Sequence, residues 1–272
     1  MKFVIIGILV FLSFRINILL GYLVTAILLA YILYTNFPFL YANKGNVAIN
    51  KEDYNTAIKY YKKAFNTQRA SASIVLRYGM LLLREGYVDD AITVFNLIVS
   101  NARYKQDFKN KAKQYRTLAY FKRGDTEDAV EEAEEILKSY KNTISYGLYC
   151  YIKLATGTPI DEILPLCKEA YEYNSDDRDI CDNLALAYIK NNEPEKAKEI
   201  CVDMLEKFPT FVEAYYHLAI AENKLGNRDK AFELVNSIDK KCKRTYLTTI
   251  SLDEINNLKQ ELAEYNKWLS LK

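Results

Sequence analysis

Apolar residues crowd the first 34 positions of the chain and then recur in a short, regular rhythm. Residues 3–14 (FVIIGILVFLSF) and 16–34 (INILLGYLVTAILLAYILY) are almost without polarity and are separated by Arg15. Beyond them, apolar positions return at three- and four-residue spacing, as amphipathic helices require. The segments EDYNTAIKYYKKAF (52–65), EGYVDDAITVFNLI (85–98) and GDTEDAVEEAEEIL (124–137) spell one helix three times, each with an alanine in the same place. The pattern predicts an all-α chain.

The alanine positions set a period. Ala57, Ala91, Ala129, Ile163, Ala197 and Ala231 occupy one slot, at steps of 34, 38, 34, 34 and 34. Twelve residues before each stand Gly45, Gly79, Thr117, Tyr151, Ala185 and Ala219. Between the two slots lie Glu52, Gly86, Gly124, Thr158, Asn192 and Gly226, where a turn is needed. Two amphipathic helices per period follow, packed so that small side chains sit at the closest crossing and let the backbones approach. One such pair cannot bury its own apolar face, so successive pairs must stack.

This spelling resembles the tetratricopeptide repeat (TPR), a helix-turn-helix unit of 34 residues, and the expectation extends to a membrane-anchored, bacterial member of that family. The resemblance implies a right-handed superhelix of six units, 38–71, 72–105, 110–143, 144–177, 178–211 and 212–245, within a repeat region of 36–246. Four extra residues before the third unit, within SNARYKQDFKNKAK, predict a first helix longer by about one turn. The fourth unit is degraded: Ile163 fills the small slot and Pro165 sits beyond the first turn of its second helix. Residues 247–272 are expected to cap the stack. There Ser251 and Glu254 have capping-box spacing, and Leu252, Ile255, Leu258, Leu262, Tyr265 and Leu269 fall along one side.

Residues 1–35 read as a hydrophobic membrane anchor, either one span or a short hairpin. The second apolar stretch has 19 residues, about 28 Å as a helix, close to the ~30 Å hydrocarbon core of a bilayer. No small-x-small cleavage site follows the first stretch, which argues against a cleaved secretory signal. In a hairpin, Lys2, Lys44 and Lys51 share one side against Arg15, which places the repeats in the cytoplasm. Five cysteines without framework spacing (Cys150, Cys167, Cys181, Cys201, Cys242) suit the same reducing compartment.

Charge and candidate chemistry point away from catalysis. Lys2 and Arg15 account for the whole net charge of +2, so the remainder is neutral and gives no case for nucleic acid. The single histidine, His217, is expected to face the groove as a polar residue, and the cysteines to be buried, inert thiols. The acidic run between 125 and 135 reads as a solvated face. No Gly-rich phosphate loop or metal-ligand spacing is present; the expectation is a non-enzymatic chain without cofactor or metal.

The candidate site is a partner groove. In the family the ninth and twelfth positions of the first helices look into the concave side. Here that places Asn46, Ile49, Met80, Leu83, Leu118, Phe121, Ile152, Leu186, Ile189, Ile220 and Asn223 there, with Tyr216 beside them. Either tight curvature covers these side chains or they receive an apolar peptide or helix of a protein partner. A lysine and asparagine clamp for a terminal carboxylate is not implied, because Asn46 matches one place while Ala42 stands where the lysine belongs. A second candidate surface is basic: Arg103, Lys105, Lys109, Lys111, Lys113 and Arg116, joined by Lys122 and Arg123, against Asp107 alone within 101–123. Either the neighbouring acidic run neutralises it or it docks acidic protein or anionic lipid. The functional expectation is a membrane-tethered scaffold that recruits a protein partner. Its rivals are a self-assembling structural membrane protein, for which a homo-oligomer is the sign, and a docking module using the basic patch.

Overall fold

A computed structural model describes residues 2–269 of the chain, with side-chain surroundings for 6–264. Among the described residues the regular structure is fourteen α-helices and no strands. The chain divides into two compact units, Met1–Leu81 and Leu82–Lys272.

In the first unit, α1 (Lys2–Ile16) is followed after one residue by α2 (Ile18–Asn50). Asn17 caps α2, its carboxamide oxygen accepting from Leu19 N at 2.8 Å. α1 packs against the first half of α2, with Phe14 over the Cβ-less backbone of Gly21 and edge-on to Tyr22 at 5.4 Å. α2 does not stop where the apolar stretch stops. It runs 33 residues, about 50 Å, through Pro38 and into the first helix expected of the repeats. One continuous helix joins the anchor region and the repeat region, which the sequence pattern divides at residue 35. By length and composition α2 can cross a membrane, while the apolar Ile6–Ile16 is shorter.

α3 (Tyr54–Asn66) turns back along α2 after Asp53, whose carboxylate caps Thr56 N at 3.0 Å. The crossing is tight: a Cβ on Gly45 would meet the Tyr61 ring at 2.5 Å. Tyr61 is buried there and donates to Asn46 Oδ1 at 2.6 Å. Arg69 lies over the Tyr34 ring, 3.4 Å from its centroid. α4 (Ala72–Arg84) carries the division between the two units.

The second unit continues with α5 (Val88–Ser100), α6 (Gln106–Arg123), α7 (Thr126–Ser139), α8 (Thr143–Ala155), α9 (Ile160–Tyr173), α10 (Arg178–Lys190), α11 (Pro194–Lys207), α12 (Val212–Lys224), α13 (Arg228–Lys241) and α14 (Leu252–Leu269). Each helix packs on the next, and α6, α8, α10 and α12 also pack on one another in that order, which is a stack of helix pairs. Ala91, Ala129, Ala197 and Ala231 have no exposed surface, as the closest-crossing argument requires, and Ile163 is buried in a core with Leu164, Cys167 and Ala170. α6 has 18 residues where α8, α10 and α12 have 13, so the inserted residues lengthen it as expected.

The turns follow the expected register with one correction. Glu52, Gly86, Gly124, Asn192 and Gly226 all have positive φ, but in the fourth unit Gly157 (φ 77°) takes that role one residue before Thr158. A β-branched residue is penalised in the left-handed region and glycine is not, so the turn shifts to the glycine. α14 caps the last pair through Ile255, Leu258 and Leu262, which are buried against Val235 and Ile238. Its N-terminus carries the capping box: Glu254 N donates to Ser251 Oγ at 3.1 Å, and Ser251 N to Glu254 Oε2 at 2.7 Å. Leu252 is exposed instead, and the side chains of Tyr265 and Leu269 lie outside the described ones.

Candidate functional site

Because α6, α8, α10 and α12 pack side by side, the first helices of four pairs present one continuous face in the second unit. The expected groove residues divide in two along it. Leu83, Ile152 and Ile189 are buried, Ile152 against Ala129 and Ala133, and Ile189 against Ala197 and Ala221. These three are core, the covered alternative of the two that the sequence left open. Leu118, Phe121, Leu186, Tyr216, Ile220 and Asn223 are half-buried, and Asn223 donates to Glu261 of α14 at 3.4 Å. Asn46, Ile49 and Met80 belong to the first unit and are half-buried there.

A feature outside the sequence reading crosses this face. Ten residues separate α13 from α14, a long connection for packed helices. This strap, residues 242–251, reaches back to α6: Lys122 Nζ donates to Thr248 O at 3.1 Å, and Tyr246 OH to Lys122 O at 3.4 Å. At the other end of the row it meets α12, where Glu213 Oε1 accepts from Thr249 N at 2.7 Å and from Thr249 Oγ1 at 3.1 Å. Arg244 braces the strap by donating to Ile250 O at 2.8 Å, and Ile250 is buried beside Val212 and Tyr215. Tyr246 lies over Gly86, where a Cβ would stand 3.2 Å from its ring.

Burial governs the charges beneath the strap. It pushes the Lys122 ammonium below its ordinary value, an effect that Glu213 opposes and Arg244 reinforces. It pushes the Glu213 carboxyl up, Asp182 adds to this, and the hydrogen bonds from Thr249 pull the other way. Tyr151, next along the face, is raised to about 12 by burial and by the carboxylates of Glu213, Glu254 and Asp182.

His217 does not face an open groove. It is 1% exposed, with Nδ1 2.6 Å from Asp182 Oδ1 on α10. The pairing satisfies two polar side chains that the stack would otherwise bury unpaired, and it leaves His217 out of reach of a substrate. Cys150, Cys167, Cys181 and Cys201 are buried and Cys242 half-buried. Burial raises Cys181 to about 11 and lifts Cys201 and Cys242 as well, while Cys150 is raised first by a hydrogen bond with Cys167 and then by burial. Such thiols are poor nucleophiles at neutral pH.

Much of the basic patch is paired with its acidic neighbour. Lys113 meets Glu135 at 2.7 Å, and Arg116 forks onto Glu132 of α7 while donating to Asn96 Oδ1 at 2.6 Å. Glu132 is buried and also accepts from Thr117 Oγ1 at 3.0 Å, so part of the acidic run is a packed seam instead of a solvated face. Lys111 pairs with Asp107 at 2.8 Å, and Arg103 donates to Tyr104 OH at 2.7 Å. Among the described residues, Lys105 and Lys109 make no ion pair.

Known proteins share this architecture. Family models of the tetratricopeptide repeat match residues 40–70 and 111–143. A crystallised tetratricopeptide repeat protein from Parabacteroides merdae is similar at TM-score 0.55 and 12% identity, covering 84% of this chain and 99% of its own. A thermophilic TPR protein of Thermus thermophilus is similar at TM-score 0.54 and 17% identity, covering 71% of this chain and 98% of its own. At these identities the likeness is one of fold. The two matched segments and the shared stacking of helix pairs together support a tetratricopeptide repeat protein, a fold that typically serves as a non-enzymatic interaction scaffold.

Proposed function

We propose that the chain is a non-enzymatic, membrane-tethered scaffold that binds a peptide or helix of a partner protein along the face shared by α6, α8, α10 and α12. The observation that carries this reading is the continuity of that face, with Leu118, Phe121, Leu186, Tyr216 and Ile220 half-buried along it. Half-buried apolar side chains in a row offer a partner area to desolvate, whereas buried ones do not. The tether is residues 18–34, supported by the exposure of Leu19, Tyr22, Leu23, Ile27 and Leu29 on α2. A helix of that composition inside a soluble core buries such side chains; lipid leaves them accessible. Placement of the repeats in the cytoplasm rests on the free cysteines, since Lys2 and Arg15 on one side of the span balance Lys44 and Lys51 on the other. Holding the scaffold at a surface raises its effective concentration for any second membrane-bound component.

A photo-crosslinking residue at Leu118 in the native cell, with the exposed Leu97 as control, tests the face. Adducts specific to Leu118 that Leu118→Asp abolishes, with helicity unchanged, are expected. Equal adducts at both positions, or loss of helicity in Leu118→Asp, would remove the reading.

A further inference from the structure

The strap holds its place by bonds that read a main chain. Lys122 takes a carbonyl, that of Thr248; Glu213 takes the next residue's N–H and hydroxyl. Thr248 N closes a turn onto Thr245 O at 3.1 Å, so what the three bonds hold is a turn with a β-hydroxyl at one place, and the side chains at its tip, Tyr246 and Leu247, are exposed. The two charged groups stand on α6 and α12, the ends of the row of first helices, and Glu213 is 4% exposed. A buried carboxylate and a largely desolvated ammonium are costly unless something bonds them, and here the chain's own strap does so.

Building on the scaffold reading, we propose that Lys122 and Glu213 form a main-chain clamp for a peptide turn bearing serine or threonine, and that residues 244–250 are its resident occupant. A partner segment of the same chemistry displaces the strap and takes over its three bonds. The occupant is favoured because its attachment to α13 and α14 keeps it at a high effective concentration, so the clamp is closed to weak competitors and opens to a partner that also contacts the apolar residues along the face. A serine or threonine segment suits the site better than an acidic one, because the carboxylate of Glu213 repels a negative charge at the hydroxyl position.

The test uses the full chain in lipid nanodiscs and a peptide of its own sequence, RTYLTTI, with benzoylphenylalanine replacing the leucine. Photolabelling of wild type is expected to be slight. Thr249→Pro, which removes both donors to Glu213, raises labelling several-fold, with adducts on α6 and α12. Thr249→Val, which removes only the hydroxyl and preserves the fold if proline does not, gives an intermediate yield. Adding Glu213→Ala to either variant returns labelling to the wild-type level. Equal labelling of wild type and both Thr249 variants, absence of labelling in all three, or labelling that survives Glu213→Ala would each overturn the clamp. Partner capture at Leu118 is scored separately: capture there without Thr249-dependent labelling sinks the clamp alone, and loss of capture sinks the scaffold reading.

Discussion

His217 and Asp182 form a buried hydrogen-bonded pair between α12 and α10, Nδ1 to Oδ1 at 2.6 Å. Burial alone pushes the imidazole down. Asp182, through its charge and its hydrogen bond, together with the charges of Glu213 and Glu254, outweighs this and leaves the His217 pKa raised. A histidine raised in the fold stabilises it fully below the unfolded value of about 6.5, and that contribution disappears as pH rises through the raised value. Thermal unfolding followed by circular dichroism should therefore show stability falling as pH rises from about 6 through the raised value. His217→Gln should flatten that part of the profile. Asp182→Asn, which strands the histidine, should cost about 3–5 kcal/mol below a pH of about 6.5.

Arg116 and Lys113 lie one helical turn apart but differ in what they hold. Arg116 neutralises Glu132, a buried carboxylate, whereas the Glu135 partner of Lys113 is largely exposed. Arg116→Met should cost about 3 kcal/mol in urea unfolding, and Lys113→Met should have a much smaller effect that salt erases. Equal losses would show that the seam between α6 and α7 is not organised around Glu132.

Gly86 and Gly124 both occupy the left-handed region, with φ of 83° and 101°. Alanine at either should cost about 1–2 kcal/mol from backbone strain. Gly124 has open space around it, while a Cβ on Gly86 crowds Tyr246 of the strap at 3.2 Å. Gly86→Ala should therefore also speed hydrogen exchange at the Thr249 amide, and Gly124→Ala should leave that exchange unchanged.

Ala91 has no exposed surface and lies among Ile92, Phe95 and Ile98 on α5. Ala91→Leu should destabilise by roughly 1–3 kcal/mol through overpacking, seen as a lower melting temperature. An unchanged melt would mean that α5 does not make a close crossing at this residue.

The fold was legible because its rules are local and repeated. A closest crossing demands a small side chain, so Ala129, Ala197 and Ala231 announce the period; a left-handed turn tolerates few residue types, so Gly86, Gly124 and Gly226 mark the corners. Thr158 misled because the period was followed at the expense of the glycine beside it. The site was less legible because its bonds join distant residues. His217 and Asp182 are 35 residues apart, and Lys122 and Thr248 are 126 apart. No spacing rule connects them; only the stacking of pairs does. The one signal available was the length of CKRTYLTTIS between two helices, too long for a simple corner. The ninth and twelfth positions did not separate lining from core by sequence alone; at Leu83, Ile152 and Ile189 neighbouring helices close over the side chain.

The uninterrupted course of α2 has a mechanical consequence. From Ile18 to Asn50 the oily half and the repeat half are joined by helix, with Pro38 the one place inside it where a backbone N–H is missing and the axis can bend, and α3 is wedged against Gly45 by Tyr61. Turning the N-terminal half therefore steers the first helical pair through a jointed shaft whose flex is confined to Pro38, where a slack linker would have let it drift.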